Sequence, residues 1–212
     1  MTVHSPADDP GLLALWDYRR RVAELYRIAR ETTDPGEAWV GWRSGRDELF
    51  VNHPQSALEL ADRERLRGLP YFDFEPAWRF DLAIEPAAGT AQHAAHSGQG
   101  STSLLALGVV RLPVAGEPTL TLFWLDQYGG GVFLPFRDAT SGSETYGGGR
   151  YLLDTAKGAD LGGEPGRIVL DFNFAYHPSC VHSPRWSCPL APPENHLPIA
   201  VPAGERLDAT ET

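Results

Sequence analysis

The chain has 212 residues, 42% of them hydrophobic, and its formal net charge at pH 7 is −10. This length favours one domain, and an acidic chain without a basic cluster argues against nucleic acid and anionic membranes as partners. The N-terminus lacks the basic start and apolar run of a signal peptide, and apolar stretches stay far short of the roughly 20 residues that span a bilayer. We therefore expect a cytoplasmic globular protein without a membrane or nucleic-acid partner.

Helix signals come first along the chain. Asp9 and Pro10 are typical of an N-cap and a first helical position, and apolar residues follow at helical spacing. A second helical segment is predicted over about 36–50. Ser56 and Glu59 have the spacing of a capping box, so a third short helix is expected to start there.

From Tyr71 onward the hydrophobic pattern takes the period of two that is typical of strands. Because about seven predicted strands follow the helices with no helix between them, we expect an antiparallel sheet. The predicted fold class is α+β, an antiparallel β-barrel or strongly curled sheet with N-terminal helices packed on it. Residues 1–212 then form a single domain, with a helical part over about 10–67, a β-rich part over about 71–205 and a tail over 206–212.

One polar loop is the main candidate for a functional site. The segment FLPFRDATSGSETYGGGRYLLD predicts two strands joined by a loop over 137–149. Carboxylates beside arginine and tyrosine offer proton transfer together with an anion clamp. The predicted catalytic residues are Asp138, Glu144, Tyr146 and Arg150, and the predicted ligand-binding residues here are Arg137, Thr140 and Ser141. The alternative is a wide turn that satisfies its own backbone, with positive φ supplied by Gly147–Gly149.

Three further residues are predicted to bind the ligand. Asp171 and Asn173 share one face of a predicted strand in DFNFAYHP, and in a barrel interior two such groups would need a partner. The alternative is an ordinary solvent-facing edge. His53, just before the third predicted helix, is either a base at the barrel mouth or a residue that caps the helix.

Four potential zinc ligands, His177, Cys180, His182 and Cys188, lie within a dozen residues. Their spacing is not that of a paired C-x-x-C knuckle, so we predict no metal ligand and no cofactor. The alternative for the two cysteines is a structural pair, present either as thiols or as a disulfide.

Several segments carry a resemblance to a known family: NHPQSAL, GLPYFDFEPAWRF, FLPFRDATSGSETYGGGRYL, DFNFAYHPSC and CPLAPPENHLPIAVPAGE. Over roughly residues 50–205 the chain resembles the bacterial and archaeal family catalogued as domain of unknown function 1684. The resemblance implies no activity, but it places the following residues on family motifs: Asp138, Thr140, Gly142, Tyr146, Gly149, Arg150, Asp171, Asn173, Cys180, Cys188, Glu194 and Asn195. Where the family usually has Asn and an aromatic residue, this chain has His177 and His182, which argues further against zinc.

The function predicted from the sequence is a small-molecule site in a β-barrel. The first hypothesis is a cofactor-independent enzyme that applies the acid/base residues above to a small metabolite, held by Arg137 or Arg150 if it is anionic. The alternatives are a non-catalytic small-molecule binding protein, a metal-dependent enzyme, and a polar motif that only stabilises the fold.

Overall fold

The computed structural model describes residues 10–87 and 89–208. Its helices are α1 (Pro10–Glu31), α2 (Pro35–Asn52) and the short α3 (Leu60–Arg63). Its strands are β1 (Arg79–Ala83), β2 (Glu85–Pro86), β3 (Ala91–Ala95), β4 (Ser101–Arg111), β5 (Thr119–Leu125), β6 (Val132–Phe136), β7 (Arg150–Asp154), β8 (Gly163–Glu164) and β9 (Arg167–Asp171). The predicted N-cap Asp9 and the last four residues of the predicted tail lie outside the described residues. None of the described helices is long and apolar enough to cross a membrane.

The two long helices form where the sequence predicts them, and they pack against each other. Asp34 caps α2 by accepting a hydrogen bond from the Glu37 N–H, with Pro35 in the first turn. The capping box predicted at Ser56 is wrong, because its hydroxyl instead donates to the Phe50 carbonyl and accepts from the Leu58 N–H. This side chain closes the turn after α2, and α3 begins only at Leu60.

The strands form two antiparallel sheets, one of order β1-β9-β8 and one of order β2-β4-β5-β6-β7, with β3 also paired to β4. The predicted closed barrel or strongly curled sheet is not found, because within the described residues β7 and β2 do not pair. The free edge of β7 is occupied by an irregular segment instead. Tyr151 N donates to Tyr176 O at 2.8 Å and Tyr176 N donates to Tyr151 O at 3.0 Å. The observed architecture is α+β with open antiparallel sheets.

Two hydrophobic clusters hold these layers together. One lies between the sheets and contains Leu120, Leu122, Leu134, Phe136, Leu152, Leu170 and Phe172. The predicted alternation of β1 is confirmed there, because Phe80 and Leu82 pack against this cluster. The second cluster joins α1 and α2 to the β-rich part through Tyr26, Trp42, Phe50, Tyr71 and Phe174. The N-terminal helices are therefore packed on the β-rich part, as the sequence predicts.

Candidate functional site

The predicted catalytic residue Arg150 is fully buried and binds the C-terminal segment of the chain. Its Nη1 donates to the carbonyls of Ala203 and Glu205, and its Nη2 donates to Val201 O at 2.9 Å. Nη2 also lies 3.3 Å from Asp138 Oδ2. Burial lowers the pKa of Arg150 to about 10 against the opposing effect of Asp138, so the guanidinium remains charged at neutral pH.

Both oxygens of the Asp138 carboxylate accept hydrogen bonds from other groups of the protein. Its Oδ2 accepts from Val201 N at 2.7 Å and from Thr140 Oγ1 at 2.9 Å, and its Oδ1 accepts from Ser141 Oγ at 3.2 Å. Four predicted site residues, Asp138, Thr140, Ser141 and Arg150, are thus brought together. The network they form ties the loop to the C-terminal segment.

The side chains of the other predicted site residues of this loop, Arg137, Glu144 and Tyr146, lie outside that network, whereas Thr145 joins it through a 2.9 Å hydrogen bond between its hydroxyl and that of Thr140. The Glu144 side chain is exposed and Arg137 is half-buried. The Tyr146 hydroxyl lies 3.9 Å from Cys180 Sγ. Of the three consecutive glycines, Gly149 has a positive φ of 98°, and a Cβ there would lie 2.4 Å from a backbone oxygen. The loop therefore combines a tight turn with a buried structural network.

Asp171 and Asn173 are fully buried, but they do not share a strand face, because β9 ends at Asp171 and a 3-10 turn (Phe172–Phe174) follows. Asp171 Oδ1 accepts from Asn173 N at 3.0 Å, and Oδ2 lies 3.2 Å from Arg79 Nη1. The Asn173 amide exchanges two hydrogen bonds with the Glu75 backbone. Burial raises the pKa of Asp171, while Asn173 and Arg79 oppose that effect. Both side chains connect the turn to the chain before β1.

His53 is buried at the C-terminal end of α2 and contacts α1. Its Nε2 lies 3.3 Å from Asp17 Oδ2, and its Nδ1 accepts from Gln55 N at 3.1 Å. Its ring meets Tyr18 edge to face at 5.1 Å between centroids. Both ring nitrogens are therefore engaged in holding the end of α2 against α1.

A cavity of about 290 Å³ lies between α1 and α2 on one side and β7 with the segment after β9 on the other. None of the residues predicted as catalytic or ligand-binding lines it. Its wall is mainly apolar and includes seven aromatic side chains, those of Tyr18, Tyr26, Trp42, Phe50, Tyr151, Tyr176 and Trp186. Clefts of this kind, apolar with a few polar groups, are where proteins bind small molecules.

Two buried polar atoms on cavity-lining residues lack a hydrogen-bond partner within the part of the chain that the structure describes: Tyr26 Oη and Asp154 Oδ1. Burial is the largest effect on the pKa of Tyr26 and raises it, while a hydrogen bond from the Trp42 indole is a smaller effect and lowers it. An indole N–H only donates, so it leaves the Tyr26 proton without an acceptor. The other Asp154 oxygen, Oδ2, accepts from Lys157 at 2.8 Å. An unsatisfied buried polar atom costs roughly 1–3 kcal/mol, so each of these atoms needs an explanation.

A buried charge cluster borders the cavity. Arg46 Nη2 lies 2.6 Å from Glu205 Oε2, and Arg46 Nε donates to Tyr71 Oη at 3.0 Å. Glu205 Oε1 lies 3.6 Å from His177 Nδ1 and 3.5 Å from His182 Nε2. Burial favours the protonated carboxyl, but Arg46 and the histidines outweigh it and hold the pKa of Glu205 well below its usual range. Burial lowers the pKa of His177.

The residues proposed as alternative zinc ligands do not gather into a metal site. Among the described residues, no group of three or more His, Cys, Asp or Glu side chains is placed to hold a metal ion. His177 and His182 contact Glu205, while Cys180 and Cys188 are free thiols.

Neither Tyr26 nor Asp154 is among the site residues predicted from the sequence. Tyr26 occurs at the helical spacing of ordinary core residues in α1. Asp154 ends RYLLD, a strand whose five residues are all buried. An acidic residue closing a strand that is otherwise apolar after its first position was the signal that could have identified Asp154, since aspartate is rarely fully buried without a partner.

The fold and cavity define an α+β protein in which two helices cover an aromatic cavity beside an antiparallel sheet. The chain belongs to a family described as a protein of unknown function, DUF1684, whose model matches residues 64–206. The solution NMR structure of an uncharacterized protein from gene locus rrnAC0354 of Haloarcula marismortui is similar to it. That protein is 34% identical, the match covers 79% of this chain and 91% of that chain, and the TM-score is 0.57. A comparison with curated proteins gives no match.

The family match begins after α2, which matters for the cavity. Asp154, Tyr176 and Cys188 lie within the matched residues, whereas Tyr26 and Trp42 precede them. The α1 and α2 side of the wall is therefore supplied by a part of the chain that the family model does not match.

Proposed function

We propose that this protein binds a small, largely apolar molecule carrying a hydroxyl group, in the cavity beneath α1 and α2. One observation carries the proposal: Tyr26 Oη and Asp154 Oδ1 are buried on cavity-lining side chains, and no described residue satisfies them. A bound molecule that pairs with both would remove a cost that the folded chain otherwise bears. Such unsatisfied groups are expected at functional sites.

The two atoms constrain the chemistry of the ligand. An ionised carboxylate only accepts hydrogen bonds, so the group that meets Asp154 must be a donor. Burial raises the pKa of Tyr26, which keeps its hydroxyl protonated and in need of an acceptor. An alcohol or phenol hydroxyl supplies both a donor and an acceptor, whereas an ammonium group only donates. The aromatic wall favours an apolar body, and a volume of about 290 Å³ limits it to a small molecule.

Binding without catalysis fits the charged groups around the cavity best. Arg46 and Glu205 are paired at 2.6 Å. His177 Nε2 accepts from Tyr146 N at 3.2 Å, and its Nδ1 faces Glu205. A general base must be free to exchange a proton with the substrate, whereas Glu205 is ion-paired with Arg46 and both ring nitrogens of His177 face protein groups. The acid/base hypothesis for the loop over 137–149 stays a prediction, as do the cytoplasmic location and the absence of a nucleic-acid or membrane partner.

The test is a screen of small alcohols, phenols and primary amines by ligand-observed NMR, followed by calorimetry on the compounds that bind. We expect saturable binding at one site, with hydroxyl compounds ahead of matched amines. Tyr26→Phe and Asp154→Ala should each weaken binding about tenfold, because one hydrogen bond worth roughly 1.4 kcal/mol is lost.

Tyr71→Phe is the matched control. Its hydroxyl is buried beside the same cluster but accepts from Arg46 Nε, and Tyr71 is not part of the cavity wall. The control should bind the ligand as the wild type does. Equal affinity of the wild type and of the Tyr26 and Asp154 variants, or no binding by any compound of the three classes, would contradict the proposal.

A further inference from the structure

The cavity wall includes an arginine of α1 that has no partner among the described residues. The arginines of this helix are Arg19, Arg20, Arg21, Arg27 and Arg30. All of them except Arg19 pair with a carboxylate or donate to a backbone carbonyl within the described part of the chain. Arg19 is exposed, and of the five it is the one that lines the cavity. The unpaired guanidinium therefore lies where the proposed ligand binds.

The other charged side chains of the cavity wall, with histidine neutral, are balanced by carboxylates. Arg46 Nη2 lies 2.6 Å from Glu205 Oε2, and Lys157 Nζ lies 2.8 Å from Asp154 Oδ2. Arg19 therefore gives the described wall one uncompensated positive charge. A carboxylate on the ligand would balance it and can accept two parallel hydrogen bonds from a guanidinium. A phosphate monoester, with a charge of about −1.5 to −2 at pH 7, would leave an excess of negative charge.

Arg19 and Tyr26 lie at opposite ends of one face of α1. They are seven residues apart in the sequence, so at about 1.5 Å per residue their backbones are separated by roughly 10 Å along the helix axis. Arg19 is exposed, whereas Tyr26 is 2% exposed. Val22 lies between them on the same face and also lines the cavity. The wall therefore changes from a cationic open end, through an apolar middle, to a buried end with an unpaired hydroxyl.

We propose that the ligand is a hydroxy carboxylate. Its hydroxyl meets Tyr26 and Asp154 at the buried end of the cavity, its apolar body lies along Val22, and its carboxylate pairs with Arg19 at the open end. This inference rests on the proposed binding of a hydroxyl compound, and it adds a second polar group and the distance between the two. Because an ion pair at an exposed arginine is weak, Arg19 selects among hydroxyl compounds while the buried end and the apolar wall supply most of the affinity.

Calorimetry with three compounds of equal chain length tests the inference: ω-hydroxyoctanoate, its neutral amide ω-hydroxyoctanamide, and octanol. We expect the carboxylate to bind the wild type about fivefold more tightly than the amide does, which is the size of one favourable exposed ion pair. Added salt should reduce this preference, because it screens the exposed charge of Arg19. The affinity of ω-hydroxyoctanoate should also exceed that of ω-hydroxyoctyl phosphate.

Substitutions of Arg19 separate the ion pair from the rest of the site. Arg19→Gln should bind the carboxylate and the amide equally, whereas Arg19→Lys keeps the charge and should retain most of the preference. Arg20→Gln is the matched control, because Arg20 is exposed and adjacent but pairs with Asp17 and does not line the cavity. It should bind all the compounds as the wild type does. Equal thermal midpoints of the variants would confirm that each is folded.

The outcomes distinguish this inference from the proposed function. Equal wild-type affinities for the carboxylate and the amide, or equal losses of carboxylate binding in Arg19→Gln and Arg20→Gln, would overturn the hydroxy carboxylate and leave the hydroxyl site in place. Tighter binding of the phosphate than of the carboxylate would overturn it in the same way. Absence of binding by all the compounds would overturn both proposals.

Discussion

Substitution of Asp138 is expected to destabilise the protein strongly, because Asp138 is the carboxylate partner of a fully buried guanidinium. Arg150 is 0% exposed and lies 3.3 Å from Asp138 Oδ2. Asp138→Ala leaves that charge without its carboxylate and leaves the Val201 N–H without its acceptor at 2.7 Å. The exposed pair Asp81–Arg167, 3.0 Å apart, provides a matched control.

The size of the expected loss of stability follows from the burial of the Asp138–Arg150 ion pair. Removing one partner of a buried ion pair costs about 3–5 kcal/mol, against a total stability of roughly 5–15 kcal/mol for a typical domain. With a urea dependence of about 2 kcal/mol per molar, the unfolding midpoint should fall by roughly 2 M. Asp138→Asn keeps one acceptor oxygen, so its unfolding midpoint should fall less than that of Asp138→Ala. Asp81→Asn breaks an exposed pair and should change stability by less than about 1 kcal/mol.

Urea unfolding followed by tryptophan fluorescence measures these changes, with the same protein concentration and buffer for every variant. The expected order of midpoints is wild type and Asp81→Asn together, then Asp138→Asn, then Asp138→Ala. If Asp138→Ala unfolds at the same urea concentration as Asp81→Asn, the carboxylate is not structural and the loop is free for chemistry.

Three further changes test other parts of the structure, each by the same unfolding assay. Tyr26→Phe should raise the free energy of unfolding by about 1 kcal/mol because it removes an unpaired buried hydroxyl, whereas Tyr71→Phe should lower it; equal losses would count against the argument. Because the pKa of His177 is lowered in the folded chain, the unfolded chain binds a proton more readily, and the free energy of unfolding should decline as pH falls below about 6.5. His177→Asn should flatten this decline. A flat wild-type profile between about pH 7 and 5 would refute the role of His177. Gly149→Ala should lower the free energy of unfolding more than Gly142→Ala does. Both glycines have a positive φ, 98° and 93°, but only at Gly149 would the new Cβ lie 2.4 Å from a backbone oxygen, so equal losses of stability would contradict the steric reason.

The sequence predicts the elements well because their signals are local. The alternation of Phe80 and Leu82 in β1 acts over a few residues, and the structure confirms it. Closure of the sheet is not a local property. It depends on which segment reaches the β7 edge, and Tyr176, about 25 residues beyond Tyr151, occupies that edge.

The site was hard to predict for a related reason. In sequence, a dense set of polar residues in a loop suggests a catalytic or ligand-binding site. In the structure, however, Arg150 at the end of this loop binds the carbonyls of Val201 and Ala203, about 50 residues away. Conversely, Tyr26 is ordinary in sequence and Asp154 differs only in closing an apolar strand, and only the fold shows that their polar atoms are buried without a partner. A place on the cavity wall together with an unpartnered buried atom, more than residue type, marks the candidate ligand contacts here, because Arg150 Nε is also unpartnered but does not line the cavity.

A crystal structure of the protein with the tightest-binding hydroxyl compound from the screen tests the central claim most directly. We predict density for the compound between α2 and β7, with its hydroxyl within hydrogen-bond distance of Tyr26 Oη or Asp154 Oδ1 or both. Density for the compound at the loop over 137–149, or in the cavity with both of these atoms still unpaired, would contradict the account.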